Sequence, residues 1–596
     1  MVILILVWSG MTLLGVWYVR PVRHADRGVI TAFWEMSDLE RVASMEADYR
    51  AWHEARFAES PPPWRGLPGR SVEDSTRLEQ ESRFRSWYNE HQDEPLSAIP
   101  RLVWATDDNP ARRIQIQLFR RWHLEQYGEP IDVITDPGSR DTRTNSVTKP
   151  IVQSIGGAGA DLIESYGPQM LRALVDSGIA LDVTDLAREQ GFEYTRCFDA
   201  SHSSFCKDGR QYGFPANVGY TVLFYHKDLF EQAGLEAPTG GWSFDTLVEY
   251  GEKLAVESPD IPGGKRWAIV GLHPWPVSLS NGARFFSDDG TRSVFNSSDA
   301  VESFRAIQDL MYEHRIMPSP SDTASMAAAG GFTGGGDNPL YFSAKLTAMT
   351  IGGRWEYVTY AESNYVRVIR PALRRRAAGA TSSEELERID RILAVLDRDV
   401  LIPLAASDYD YIREVLTDDD RSQLLRIGVA HVPTIDGRIK YTDVGARVAL
   451  INRKSNQREY AIRFLRFLAS ESYNEQINQT FDSICGVIEY CVDADGISGP
   501  PQPLPGLESF DSPVFVEAMD GAESQQLSPY IGPERLGFLA GQVMDQLMNG
   551  RLTPTEAARL IEDRVNRQID ANVARDEALR LDFTRAMEDS AGGFDQ

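Results

Sequence analysis

Only four cysteines occur in 596 residues. None precedes Cys197, which excludes a lipid anchor on an N-terminal cysteine. They fall as two close pairs, Cys197 with Cys206 and Cys485 with Cys491. An even count in local pairs suits two short-loop disulfides in an exported chain. Zinc is the competing reading, but neither spacing is C-x-x-C and no histidine lies near the second pair. His202, near the first pair, reads as a surface-loop histidine. Positive charge is also in deficit. With 61 Lys and Arg against 87 Asp and Glu, the formal charge is -26. That excludes nucleic acid as a partner, because phosphate recognition needs a basic stripe. The densest basic run, Arg374-Arg375-Arg376, reads as a solvated helix face.

Catalytic signatures are missing as well. There is no nucleophile elbow, HExxH or ordered triad. The paired carboxylates of a glycoside hydrolase are the one enzymatic alternative left. Gly156-Gly157-Ala158-Gly159 precedes a strand, and the glycines of 330–336 lack a following Lys-Ser/Thr, so neither reads as a phosphate loop. No enzyme activity, cofactor or metal is expected. Long apolar runs are almost absent. The exception is Met1–Val19, uncharged and long enough to span a bilayer. It reads as an uncleaved membrane anchor or a signal peptide; no good small-residue cleavage site follows in Arg20–Asp26, which favours the anchor. Arg20 and Arg23 follow the segment, and the positive-inside bias would keep that side cytoplasmic, against export.

What the chain does contain is a long alternation of strand and helix. Its length exceeds one core, so two or more domains are expected. Pro100–Thr106 reads as a strand, Asn109-Pro110 as a helix cap and first turn, and Ile114–Tyr127 as an amphipathic helix. Strands at Pro130–Thr135 and Ala160–Glu164 flank a helix at Val147–Ile155. This β-α-β-α-β order predicts a mostly parallel sheet covered on both faces, with ligands beyond the carboxyl strand ends. Asp107, Asp108, Ser165 and Tyr166 would then lie at the mouth. Further on, Asp208-Gly209 reads as a hairpin turn and Gly213-Phe214-Pro215 as a break in pairing. Tyr220–Tyr225 reads as a buried strand, and Lys227–Ala233 as a helix closed by Gly234.

The stretch Tyr-Gly-Phe-Pro at 212–215, Phe-Tyr-His-Lys-Asp-Leu-Phe at 224–230 and Gly-Trp-Ser-Phe-Asp-Thr-Leu at 241–247 resembles the extracellular solute-binding proteins of sugar ABC importers (family 1, maltose-binding-protein-like). A second match is Phe342–Trp355, a strand ending in Gly352-Gly353 and a tryptophan. The resemblance continues through Ile427–Pro433, Asp443–Ile451, Arg458–Leu468 and Leu552–Asp563, where Thr553 and Glu556 form a capping box. It implies an α/β, two-lobed periplasmic-binding-protein fold, each lobe a mostly parallel sheet flanked by helices. Residues 1–20 would be the anchor or signal segment and 21–99 a partly helical extension. Residues 100–218 and 445–530 would form lobe 1; 219–444 and 531–580 would form lobe 2, with a helical insert at about 367–425. The implied activity is binding of a sugar or polyol by hinge closure. Delivery would be to permease subunits, by a monomer held at the periplasmic or outer surface. A membrane-tethered sensor of the same fold is the alternative.

A sugar offers hydroxyls around apolar C–H faces, so its site needs aromatic platforms and polar groups in a cleft. Trp355, Tyr166, Trp275 and Tyr220 are the candidate platforms. Asp107, Asp108, Asn217, Asn281 and Arg354 are the polar candidates, and Gly353 allows close backbone approach. Gly219-Tyr220 stands where the best-known members of the group carry an acidic residue, which argues against maltodextrin. Trp242 is assigned to packing.

Overall fold

Residues 101–105 send every second side chain inward, as a pleated strand must. Leu102 and Trp104 are fully buried in β1 (Arg101–Ala105), and Trp104 meets Phe464 edge-on at 5.0 Å. β2 (Asp132–Thr135) and β3 (Leu162–Tyr166) flank it in parallel, in the registers Arg101↔Asp132 and Trp104↔Leu162. The computed structural model describes residues 100–107, 110–129, 131–136, 147–330, 338–439, 444–493, 496–497, 503–517, 519, 522 and 527–592. The anticipated membrane segment, the 21–99 extension, Asp108 and the Asn109 cap lie outside the described residues. Among the described residues no helix is long and apolar enough to cross a membrane.

The further strands are β4 (Gly213–Gly219), β5 (Val222–His226), β6 (Val256–Glu257), β7 (Lys265–Val270), β8 (Thr347–Gly352), β9 (Ile427–Ala430) and β10 (Gly445–Ile451). With the first three they make two sheets, in the orders β2-β1-β3-β10-β4 and β9-β5-β8-β7-β6. In the first sheet only β10 is reversed, pairing antiparallel with β3 and β4. The expected mostly parallel arrangement holds there. The second sheet is mixed: β5 runs antiparallel to β8 and β9, β6 antiparallel to β7, and β7 and β8 are parallel. The cause is the crossing. β5 follows β4 after Tyr220 and Thr221 alone, with no crossover helix to return the chain to a common direction.

The Gly-Phe-Pro stretch, expected to break pairing, stays inside β4. This is the outer strand of its sheet, where a residue lacking N–H is tolerated. A register shift between Arg447 and Val448 leaves Ala216 as a bulge, and the Tyr473 hydroxyl donates to its carbonyl at 2.8 Å. Just upstream, Asp208 and Gly209 turn the short hairpin Cys206–Lys207/Arg210–Gln211 with φ of 52° and 73°, the geometry of a type I′ turn.

Each sheet carries its own apolar core. The first runs on through Phe224, Tyr357, Phe481 and Phe510 into the helices of the 367–425 insert, where Ile392, Leu396 and Ile412 are buried. Tyr357 stacks on Phe481 at 3.9 Å and Phe224 on Phe510 at 5.1 Å. The last stretch of the insert is two helices, Ala406–Val415 and Asp418–Gln423. Thr417 and Asp420 form a reciprocal capping box, which restarts the helix and so divides it. A third cluster joins Phe285, Phe295 and Phe304 to the C-terminal helices Pro533–Met548 and Pro554–Arg575.

Candidate functional site

At the carboxyl end of β8 the chain turns through Gly353 into a single turn, Arg354–Glu356. A Cβ on Gly353 would collide with the Trp355 ring, and one on Gly219 would come within 3.0 Å of it. The two glycines therefore let the indole lie against the crossing between the sheets. Trp355 is 40 % exposed. A large flat apolar face is left open at the junction of the two lobes.

In the first sheet a buried ionic network lies at the ends of β1, β3 and β10. Tyr166 donates from its hydroxyl to Asp107 (2.9 Å) and Glu164 (3.0 Å). Arg112, two residues into the helix Pro110–Tyr127, pairs with Asp107 (3.0 Å) and Asp482 (2.7 Å). Arg447 of β10 pairs with Glu164 (2.8 Å) and Asp482 (3.0 Å). Gln115 and Thr106 complete it, donating to Asp482 and Glu164 respectively. Such a pair of arginines survives burial only because every charge is answered. Burial works to lower Arg112 and Arg447, but the facing carboxylates outweigh it and hold both above their ordinary values. Burial works to raise Asp482, and the two guanidiniums overcome it, so its carboxyl stays below the usual range. Burial, then Glu164 and Asp107, push the Tyr166 phenol well up, so it remains a donor.

The segment 478–485 ties network to indole. Phe481 and Ser483 both have positive φ, 57° and 71°, which costs on the order of 1–3 kcal/mol each and persists only where neighbours enforce it. The Asn217 amide donates to the Asp482 carbonyl and the Ser483 hydroxyl to the Val218 carbonyl. Trp355, Gly219, Asn217, Asp482, Arg112, Asp107 and Tyr166 thus form one contiguous set of contacts.

Other candidates have different surroundings. Arg354 is buried, and its three guanidinium nitrogens donate to the carbonyls of Phe510, Ser483 and Asn478 at 3.1, 2.7 and 3.1 Å. Burial pulls it down to about 10. Buried and held by three backbone carbonyls, it acts as a structural tie. Tyr220 is buried too, its hydroxyl donating to the Val514 carbonyl. Trp275 stacks on Phe285 at 4.5 Å inside the third cluster, at the start of a helix, Pro274–Ser280. Asn281 caps that helix and donates to Asp299 and Glu302. Neither is drawn into the Trp355 set. Ser165 is buried within its sheet, and Trp242 packs as assigned, donating to the His431 carbonyl.

Arg112, Glu164, Arg447 and Asp482 were not singled out from the sequence. Glu164 and Arg447 had a usable signal, a lone charge inside an otherwise apolar strand. Glu356 was missed as well. Its carboxyl folds over Gly352, accepts from Tyr360 at 2.7 Å, and is raised by burial to about 7. The four cysteines are free thiols, with burial raising Cys206 to about 12 and Cys197 further. Cys485 lies within hydrogen-bonding reach of Cys491. Among the described residues no cluster of three or more His, Cys, Asp or Glu could hold a metal ion.

The profile of bacterial extracellular solute-binding proteins matches residues 132–475, more than half the chain. The chain belongs to that family. The ABC substrate-binding protein Lmo0181 of Listeria monocytogenes, solved with cycloalternan, superposes with a TM-score of 0.57 at 16% identity, over 79% of this chain and 99% of that one. The two-lobed fold is therefore common to both. Among curated relatives, an arabinooligosaccharide-binding protein of Halalkalibacterium halodurans is 26% identical over 122 residues, 20% of this chain and 26% of that protein. The diacetylchitobiose binding protein DasA of Streptomyces coelicolor is 25% identical over 173 residues, 28% of this chain and 39% of that protein. These matches span well under half the length of either relative.

Proposed function

We propose that the protein binds a sugar or related polyol outside the cytoplasm, closes around it by a hinge, and delivers it unaltered to an ABC importer. The carrying observation is the part-exposed Trp355 indole beside the crossing, linked through the segment 478–485 to the network that holds Tyr166 and Asp107. An indole takes the C–H face of a sugar ring, while Asp107 accepts from hydroxyls and Tyr166 is held as a polar edge. Asn217 lines the same junction and Gly353 lets the ligand approach. The relatives' ligands, an arabinooligosaccharide and diacetylchitobiose, support an oligosaccharide. The lobes are 100–218 with 445–530, and 219–444 with 531–580. Closure follows only if the ligand binds the closed form more tightly than the open one.

The protein acts as a monomer at the periplasmic or outer face of the membrane, held by its N-terminal segment. In that oxidising compartment the thiols that are free in this structure would oxidise within their pairs, Cys197 with Cys206 and Cys485 with Cys491; mass spectrometry with and without reductant checks both. Thermal shift against a carbohydrate panel tests the binding reading. One or more sugars should raise the midpoint, and Trp355→Ala should abolish the response. An undiminished shift in the variant would remove Trp355 from the site. Chromatography of the recovered sugar separates binding from hydrolysis.

A further inference from the structure

The C-terminal helix pair carries a surface that hinge closure does not use. Pro533–Met548 and Pro554–Arg575 bury Leu539, Val543, Ala558, Ile561 and Val565 between and beneath them. On the outer side Arg535, Phe538 and Gln542 follow one helical stripe, and Arg564, Arg567 and Gln568 the other. With Leu539 they line a groove of about 340 Å³. The guanidiniums meet only neutral acceptors: Arg535 donates to Gln568 at 2.9 Å, Arg564 to Gln542 at 3.4 Å, and Arg567 to the Asp563 carbonyl at 3.1 Å. Among the described residues, none of the three makes an ion pair with a carboxylate. The neighbouring Asp570 is engaged elsewhere, by Arg292. Phe538 is 54 % exposed, with Arg535 over its ring at 5.4 Å.

Three arginines without counter-charges are out of character for a chain of formal charge -26. An acidic partner is repelled by most of such a surface, so a local positive furrow selects one approach. We propose that this groove docks an acidic peptide segment of a partner protein. Its carboxylates would be gripped by the guanidinium forks of Arg535, Arg564 and Arg567, and an apolar side chain would rest on Phe538 and Leu539. A furrow between two rods suits a peptide; a bilayer calls for a convex face with more than one exposed aromatic.

Fluorescence anisotropy with the full chain and a labelled peptide of Asp-Glu pairs alternating with Phe tests this, beside its Asn-Gln counterpart. The acidic peptide should bind and weaken as salt rises. The R535Q/R564Q/R567Q variant should lose roughly tenfold or more in affinity with an unchanged unfolding midpoint. Single substitutions should lose less, and Trp355→Ala should bind the peptide normally, which separates this site from the cleft. Equal binding of the neutral peptide, full binding by the triple variant, or no binding of the acidic peptide would overturn the proposal. So would capture of phosphatidylglycerol vesicles in place of the peptide.

Discussion

The two lobes arm their shared junction in opposite ways. On the first, charge is buried and interlocked: Arg112, Arg447, Asp482, Glu164 and Asp107 answer one another beneath Tyr166. On the second, the strand end is bare glycine and one open indole, and a prominent ion pair, Arg426–Glu231, is a surface one. A buried network fixes its members in place, because no partner can leave without stranding a charge. An indole beside two glycines is fixed only by shape. The one strand end is held by charge, the other by fit alone.

The sharpest way to break this contrast is Asp482→Asn. It leaves Arg112 and Arg447 short of a counter-charge, and urea unfolding should show a loss of about 3–5 kcal/mol. Because the folded carboxyl titrates below its ordinary value, its contribution is present above that value. It disappears as pH falls through the folded one, so the variant should also have a shallower acid limb. A smaller effect of opposite sign belongs to Glu356. Its carboxyl titrates near 7 when folded against 4.5 otherwise, so its contribution is full below about pH 4.5 and drains away as pH rises through 7. Glu356→Gln should flatten that decline and gain on the order of 2 kcal/mol at pH 8, read from unfolding midpoints across pH. Glu231→Gln should do least. Its partner Arg426 stays solvated, and the midpoint should not move beyond experimental scatter at ordinary salt.

Elements with local causes were legible in the sequence. The Asp208-Gly209 turn, the Gly234 helix end and the Thr553–Glu556 capping box are each specified within a few residues, and all three occur. So was the strand ending in Gly352-Gly353. Elements with distant causes were not. The direction of β5 depends on how a neighbouring lobe delivers the chain, and the bulge at Ala216 depends on β10, more than two hundred residues away. The candidate residues divide the same way. Trp355, Tyr166 and Asp107 were chosen as lying at or just past strand ends, and they do lie there. Asp482 was not chosen, because its importance arises from Arg112 and Arg447, neither near it in sequence. Arg354 misled for a related reason. A guanidinium beside a part-exposed tryptophan looks like a ligand group until three carbonyls from elsewhere are found to occupy it.

Those three carbonyls make neighbours of unequal freedom. Position 354 is answerable to backbone from two remote stretches, 478–483 and 510, so a change there disturbs the scaffold before it touches any guest. Position 355 answers, among the described residues, to no remote carbonyl; two glycines and the shape of the crossing hold it. Adjacent positions should therefore tolerate replacement very unequally, the first by disturbing distant backbone and the second by altering only its surroundings.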